Sequence, residues 1–243
     1  MEALILCGGY AKRLEPLTEF MPKPLLFINN APLVDSIIDK INDIGVNRKI
    51  ISTNRRFENQ FRYWMNNKVK ENFELVVEPT IDHSEKFGAV KGLEYAIRNS
   101  NINDDLLFVA GDNYFDFDLN KMKSRFEKLK KPLIALYDIK NKEDAKMFGV
   151  VSLDQNGKIE KFFEKPENPE ATLVSTGIYM FPASTLGTFS AFMKENAEKG
   201  DAIGNFIEWL IKHEEVYGYI YENGTWADIG TFTNYRKLFY QFI

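Results

Sequence analysis

Two glycines and two cations stand together near the start of the chain. Gly8 and Gly9 follow a short apolar run, and Lys12 and Arg13 follow two residues later. Adjacent glycines let backbone N–H groups converge on an anion, to which the cations add charge. Neither a G-x-x-x-x-G-K-[ST] nor a G-x-G-x-x-G pattern is present. The residues indicate a phosphate cradle, and a plain turn is the alternative.

A lysine lies between two prolines a few residues further on. Pro22 and Pro24 hold the backbone around Lys23 in extended geometry and reduce its freedom. A cation on a stiff segment suits the charge of a transferring phosphate. An exposed lysine in a rigid connection fits the same three residues.

Two carboxylates follow apolar or glycine-bearing segments far apart in the chain. Asp112 comes directly after the apolar run 106–110 and Gly111, and Asp228 lies in a turn with Gly230. Carboxylates together with substrate phosphates are typical ligands of Mg²⁺. With one cysteine and two histidines in the chain, a multi-His zinc site is excluded. Taken singly, each aspartate also fits a turn or a helix entry.

A third charged segment is Glu164-Lys165-Pro166, at the end of a strand-like run. Its carboxylate could accept hydrogen bonds from hydroxyl groups while its ammonium meets a phosphate. A surface ion pair, worth about 0 to 1 kcal/mol, is the alternative.

The elements that must position these residues alternate in the first half of the chain. Predicted strands are Ala3–Cys7, Lys49–Thr53, Glu74–Val77 and Leu106–Ala110. Predicted helices are one with Pro32 at its first position and Gly45 at its stop, then Phe57–Asn66 and Glu85–Arg98. This order implies right-handed crossovers and a mainly parallel sheet. Ligands of such sheets bind at the carboxyl ends of the strands, where the charged loops lie.

The second half changes character without a Pro/Gly/Ser-rich spacer. Strand-like runs at Val150–Leu153 and Lys158–Phe163 flank an Asn156-Gly157 turn. Further strands are predicted at Val174–Phe181 and Val216–Tyr221, and helices at Ser184–Asn196, Ile203–His213 and from Phe232. We therefore expect one α/β domain over residues 1–243, Rossmann-like, with a mixed, mainly parallel sheet flanked by helices.

Composition limits the partners. The chain has 243 residues, 44% hydrophobic and 27% charged, with 31 basic and 35 acidic residues and a pI near 5.4. Nucleic acid is not expected, because duplex binders carry basic surfaces. No apolar stretch is long enough for a membrane span. The single cysteine and the lack of a signal-peptide pattern favour the cytoplasm, and the 14% aromatic content is compatible with a homo-oligomer.

The charged segments resemble those of the sugar nucleotidyltransferases, particularly the glucose-1-phosphate thymidylyltransferase group. The first match is Gly8-Gly9-x-x-x-Arg13-Leu14-x-Pro16-x-Thr18-x-x-x-Pro22-Lys23-Pro24. Two more are Gly111-Asp112-Asn113 and Trp226-x-Asp228-x-Gly230-Thr231. Ala11 departs from the glycine that many members carry. The resemblance implies the nucleotide-diphospho-sugar transferase fold, with a nucleotide-binding half to about residue 115 and a sugar-phosphate half beyond it.

The resemblance also implies a reaction and a set of roles. A nucleoside triphosphate and a sugar 1-phosphate would give a nucleotide-sugar and pyrophosphate, with Mg²⁺ on Asp112 and Asp228. Arg13 and Lys23 would be catalytic. The implied nucleotide-binding residues are Leu6, Gly8, Gly9, Glu78, Gly88 and Asp112. The implied sugar-phosphate residues are Gly149, Glu164, Lys165, Thr176 and Gly177.

Three alternatives stay open. Asn113 and the compact length favour dTTP or UTP with glucose 1-phosphate. Glu78 stands where a glutamine is frequent in thymidylyltransferases, which leaves a mannose-1-phosphate guanylyltransferase as the alternative. Asp116-Phe117-Asp118 matches the Asp-x-Asp motif of glycosyltransferases, although Asp118 also suits a helix cap. Some relatives are catalytically silent regulatory subunits, which the retained Arg13, Lys23, Asp112, Lys165 and Asp228 argue against.

Overall fold

A mixed sheet of nine strands forms the centre of the computed structural model, which describes residues 1–28, 30–46, 48–68 and 71–241. The strands are β1 Glu2–Leu6, β2 Phe27–Ile28, β3 Ala31–Pro32, β4 Lys49–Asn54, β5 Phe73–Glu78, β6 Leu106–Ala110, β7 Asn113–Phe115, β8 Leu133–Asp138, β9 Gly149–Leu153, β10 Ile159–Glu164, β11 Leu173–Phe181, β12 Tyr217–Tyr221 and β13 Trp226–Asp228. The helices are α1 Leu33–Asp43, α2 Glu58–Asn66, α3 Ala89–Asn99, α4 Asn120–Leu129, α5 Lys142–Ala145, α6 Leu186–Glu195, α7 Ile203–Leu210 and α8 Phe232–Gln241.

The sheet joins a parallel half to an antiparallel half. Its order is β10-β9-β11-β6-β1-β4-β5, with β8 beside β11 and β12 beside β8. Strands β6, β1, β4 and β5 pair in parallel, and β11 pairs antiparallel with β6, β8 and β9. Two two-stranded sheets, β2-β3 and β7-β13, lie beside it. The predicted mixed sheet flanked by helices is confirmed, whereas the division near residue 115 stays a prediction.

Helices cover both faces of the sheet. Along β1, Ala3 and Ile5 pack into the core with α1 and α2, whereas Leu4 packs into the core with α3, α6 and α7. All three side chains are fully buried, which explains why this strand is continuously apolar instead of alternating. No helix among the described residues is long and apolar enough to span a bilayer.

Helix starts differ from the predicted ones at two places. The helix predicted over 85–98 begins at Ala89, because Gly88 has φ +77° and does not continue a helix. A Cβ on Gly88 would lie 2.5 Å from the Cα of Asp201, so this glycine also permits a close approach. Pro32 is extended and belongs to β3, where it pairs with Phe27 of β2. Helix α1 therefore begins one residue later than predicted.

Helix α4 and strand β8 are the longest elements without a counterpart among the predicted ones. Helix α4 buries only Met122 and Phe126 among charged residues, which gives a weak periodic signal. Strand β8 lies between β11 and β12, two strands that follow it later in the chain. The predicted hairpin at Asn156-Gly157 is confirmed, with Gly157 at φ +81° between β9 and β10.

Candidate active site

A cleft of about 480 Å³ opens at the carboxyl ends of β1, β5 and β6. Both residues predicted as catalytic, both predicted metal ligands and every predicted nucleotide-binding residue line it. They are Leu6, Gly8, Gly9, Arg13, Lys23, Glu78, Gly88, Asp112 and Asp228. This is the edge at which parallel sheets bind ligands, and segments far apart in the chain meet there.

The loop after β1 is held from two sides. Asn54, at the end of β4, donates its amide N–H to the carbonyl of Gly8 at 3.0 Å, and the Tyr10 hydroxyl donates to Thr80 Oγ1 at 3.0 Å. Ala11 adopts the left-handed conformation at φ +46°, which costs a residue with a Cβ about 1 to 2 kcal/mol. That conformation is a physical reason for a glycine to be common at this position.

Lys23 and Asp112 form an ion pair across the cleft. The distance from Lys23 Nζ to Asp112 Oδ2 is 2.9 Å, and the Lys23 side chain is only 12% exposed. Burial works against the charge of each group, but the ion pair outweighs it, so the pKa of Lys23 is raised and that of Asp112 is lowered. Both groups therefore carry full charge at neutral pH.

Asp228 adds a second carboxyl beside this pair. Strand β13 pairs with β7 so that Asp228 lies opposite Asn113, the residue after Asp112. Burial and the negative charge of Asp112 raise the pKa of Asp228 to about 6. Two neighbouring carboxyls are a donor set that suits Mg²⁺, which usually takes one or two carboxylates and completes its shell with water and phosphate. No larger cluster of acidic, histidine or cysteine side chains able to hold a metal occurs in the described ranges.

The sequence as a whole decides the family. A family model described as "Nucleotidyl transferase" matches residues 2–242. The chain belongs to the nucleotidyl transferase family.

Several known proteins are similar over almost the whole chain. The "bifunctional protein GlmU" of Methanocaldococcus jannaschii is 35% identical over 95% of this chain and 51% of its own length. The "UTP--glucose-1-phosphate uridylyltransferase AglF" of Haloferax volcanii is 25% identical over 95% of this chain and 91% of its own. The chain thus spans about half the length of the first of these relatives.

A solved structure of UDP-glucose pyrophosphorylase complexed with UDP-glucose superimposes on this chain with a TM-score of 0.84. It covers 99% of this chain and 97% of the other, at 18% identity. At that identity the likeness establishes the fold, which is that of the nucleotide-diphospho-sugar transferases.

The predicted sugar-phosphate residues lie beside the cleft and do not line it. Glu164 ends β10, and Lys165 follows it with Nζ 3.5 Å from Glu164 Oε1. The Lys165 side chain is 58% exposed, and its charge helps to lower the pKa of Asp112 and opposes the rise at Asp228. Lys165 is therefore close enough for its charge to act on both carboxyls.

Gly177 and Thr176 lie in β11. Gly177 has φ +79°, and a Cβ there would lie 2.7 Å from Asn113 Nδ2, so only glycine fits. The Thr176 side chain is fully buried, and its hydroxyl donates to the carbonyl of Ala135 at 2.9 Å. A Cβ on Gly149 would lie 3.3 Å from Glu164 Oε2. Gly149, Thr176 and Gly177 stay predictions as sugar-phosphate residues.

Several residues of the cleft are missing from the predicted set. Asn54 and Tyr10 hold the glycine loop, and Lys86 and Asp201 form an ion pair at 2.7 Å in the lining of the cleft. Asn54 directly follows the predicted strand Lys49–Thr53, so the rule on strand ends could have identified it. Tyr10 and Asp201 carry no comparable signal, because their partners come from distant segments.

The burial of the Glu78 carboxyl can be tested through the pH dependence of the protein's stability. Its carboxyl is 2% exposed between Gly8 and Gly92, and burial raises its pKa from 4.5 to about 7. The folded state thus binds this proton more tightly than the unfolded state, so stability falls as pH rises from about 4.5 to about 7. We expect Glu78→Gln, neutral at every pH, to gain up to about 3 kcal/mol over the wild type at pH 8.5 and little at pH 4.5.

Urea unfolding at both pH values measures this difference. The exposed Glu198→Gln is the matched control and should show no comparable pH-dependent gain. An equal stability difference at both pH values in Glu78→Gln would mean that the Glu78 carboxyl has an ordinary pKa.

Proposed function

We propose that this protein joins a nucleoside triphosphate to a sugar 1-phosphate and releases pyrophosphate. The observation that carries the proposal is the meeting of Lys23, Asp112 and Asp228 beside the glycine loop, with Lys165 close enough to act on both carboxyls. Two polyanions repel each other, and a cleft with cations and metal-binding carboxylates offsets that repulsion.

The reaction balances without a general base. A phosphate oxygen of the sugar 1-phosphate attacks the α-phosphorus of the triphosphate, and the bond from that phosphorus to the bridging oxygen breaks. Pyrophosphate leaves with the electron pair of the broken bond. Since the nucleophile is already an anion, catalysis depends on placement and charge stabilisation.

Each part of the site has a proposed task. The backbone of Gly8 and Gly9 would hold the triphosphate together with Arg13, and Lys23 would stabilise charge at the α-phosphorus. Lys165 would orient the attacking phosphate while Glu164 accepts hydrogen bonds from sugar hydroxyls. Asp112 and Asp228 would hold Mg²⁺, which when bound neutralises phosphate charge.

For the substrates, we propose dTTP or UTP with glucose 1-phosphate. A protonated carboxyl offers one donor and one acceptor, as a glutamine side chain does. With its pKa at about 7, Glu78 can present that pair to the N3–H and a carbonyl of thymine or uracil. The similarity to a relative named as a UTP--glucose-1-phosphate uridylyltransferase supports the same choice.

A guanylyltransferase acting on mannose 1-phosphate is the second candidate, and the same residue favours it at higher pH. An ionised Glu78 only accepts hydrogen bonds, and guanine presents two adjacent N–H donors on its Watson–Crick edge. Rising pH should therefore favour GTP relative to UTP if Glu78 contacts the base.

The arrangement argues against the other two alternatives. Asp116 and Asp118 line a separate groove of about 870 Å³, away from Lys23. Asp116 Oδ1 accepts the N–H of Thr225, and Asp118 Oδ1 accepts that of Asn120 at the start of α4. Both act as turn and helix-start residues, which weighs against a glycosyltransferase metal motif. The cleft retains the charged residues that the reaction needs, which weighs against a catalytically silent regulatory subunit. The cytoplasmic location stays a prediction.

A substrate matrix tests the proposal. The protein is incubated with Mg²⁺, each of five nucleoside triphosphates and several sugar 1-phosphates, and pyrophosphate is measured. We expect release only when both substrates are present, highest with dTTP or UTP and glucose 1-phosphate. Release of nucleoside diphosphate from a nucleotide-sugar would instead identify a glycosyltransferase, and no pyrophosphate with any pair would contradict the proposal.

A further inference from the structure

The turn at Glu164-Lys165 has a backbone conformation that a lysine does not favour. Lys165 adopts φ +48°, in the left-handed region where a Cβ is disfavoured. Its N–H donates to the carbonyl of Phe148 at 3.1 Å, which fixes one side of the turn. Such a conformation persists where neighbouring groups over-determine it, and it is common at binding sites.

The second fixed point is a side chain of α7. Strand β10 is the last strand of the sheet, and the N–H of Glu164 donates to Glu208 Oε1 at 2.7 Å. An edge strand leaves such N–H groups without a strand partner, and this carboxylate supplies one. Glu208 therefore fixes the residue directly before the left-handed Lys165.

One turn earlier on the same helix, Gly204 leaves room for the side chain of Glu164. A Cβ on Gly204 would lie 1.9 Å from Glu164 Oε2, a distance that atoms cannot adopt. Glycine inside a helix costs about 1 kcal/mol of stability relative to alanine. The close approach of Glu164 explains why a glycine nevertheless occupies this position. Residues four apart lie on the same helix face, so Gly204 and Glu208 contact Glu164 together.

We propose that Glu208 is a positioning residue for the sugar 1-phosphate. By accepting the N–H of Glu164, whose side chain lies against Gly204, it directs the Glu164 carboxylate and the Lys165 ammonium toward the second substrate. This inference rests on the proposed function, since it needs the Glu164-Lys165 pair to bind the sugar 1-phosphate.

The test compares Glu208→Ala and Glu208→Gln with the wild type, using UTP and glucose 1-phosphate. The glutamine variant keeps a carbonyl acceptor for the Glu164 N–H, and the alanine variant removes it. We expect the alanine variant to raise KM for glucose 1-phosphate roughly tenfold, the scale of one lost charge-assisted hydrogen bond, with KM for UTP within about twofold. The glutamine variant should restore most of the loss. The exposed Glu198→Ala serves as the matched control.

Amide exchange at Glu164 provides a readout that does not depend on turnover. We expect faster exchange of this amide in Glu208→Ala and near wild-type exchange in Glu208→Gln. Unchanged exchange, or a KM that rises equally for both substrates, would overturn the inference and leave the proposed function standing. A wild-type protein that turns over no sugar 1-phosphate would overturn the proposed function, and this inference with it.

Discussion

Replacing Lys23 by alanine should lower kcat by about 100- to 1,000-fold and change KM for the triphosphate much less. A preorganised donor aimed at developing charge contributes about 2.7 to 4 kcal/mol, and it acts in the transition state more than in the bound ground state. Lys23 is suited to this role because its side chain is only 12% exposed and lies 2.9 Å from a carboxylate of the proposed metal pair. The extended backbone predicted at Lys23 is wrong, since Lys23–Leu25 form a short 3₁₀ turn and only the flanking Pro22 and Leu26 are extended.

Steady-state kinetics of pyrophosphate release separates these two effects. The exposed Lys194→Ala on α6 is the matched control and should keep wild-type kinetics. A loss confined to KM for the triphosphate would show that Lys23 only binds the nucleotide, which contradicts the proposed role.

Replacing Asp112 by asparagine should lower magnesium-dependent turnover by about 1,000-fold or more and leave the protein folded. The carboxylate is the partner of Lys23 and one of two proposed Mg²⁺ ligands, and charge stabilisation by a bound metal is worth several kcal/mol. The fold should survive because the Asp112 side chain is 42% exposed and asparagine keeps its shape.

Asp118→Asn is the control for this variant, since Asp118 lies in the separate groove. Circular dichroism and thermal unfolding establish that both variants are folded before pyrophosphate release is measured. Near-normal magnesium-dependent turnover in Asp112→Asn would remove this residue from the proposed metal pair.

The parallel half of the fold could be predicted because its signals are local. The buried run at Ala3–Cys7 ends at two glycines, and both features survive in β1 and the loop after it. The start of α3 could not be predicted, since Gly88 takes its conformation against Asp201, far away in the chain. Strand β8 is not among the predicted strands, although its buried apolar run over residues 133–136 is a local signal of the same kind.

The candidate site likewise contains residues that the sequence predicts and residues that it does not. Lys23, Asp112 and Asp228 belong to recognisable motifs, and the structure brings all three into one cleft. Tyr10 and Glu208 act through single hydrogen bonds to distant segments, which no spacing pattern records. The exposure of Lys165 and the buried hydroxyl of Thr176 likewise follow from tertiary packing.

A crystal structure with Mg²⁺ and the nucleotide-sugar product of the substrate matrix tests the central claim most directly. The account predicts that the diphosphate lies in the cleft after β1, with Lys23 Nζ and Lys165 Nζ both at hydrogen-bonding distance from its oxygens and Mg²⁺ bound by Asp112 and Asp228. A diphosphate in the groove lined by Asp116 and Arg125, or one beyond the reach of Lys165, would contradict it.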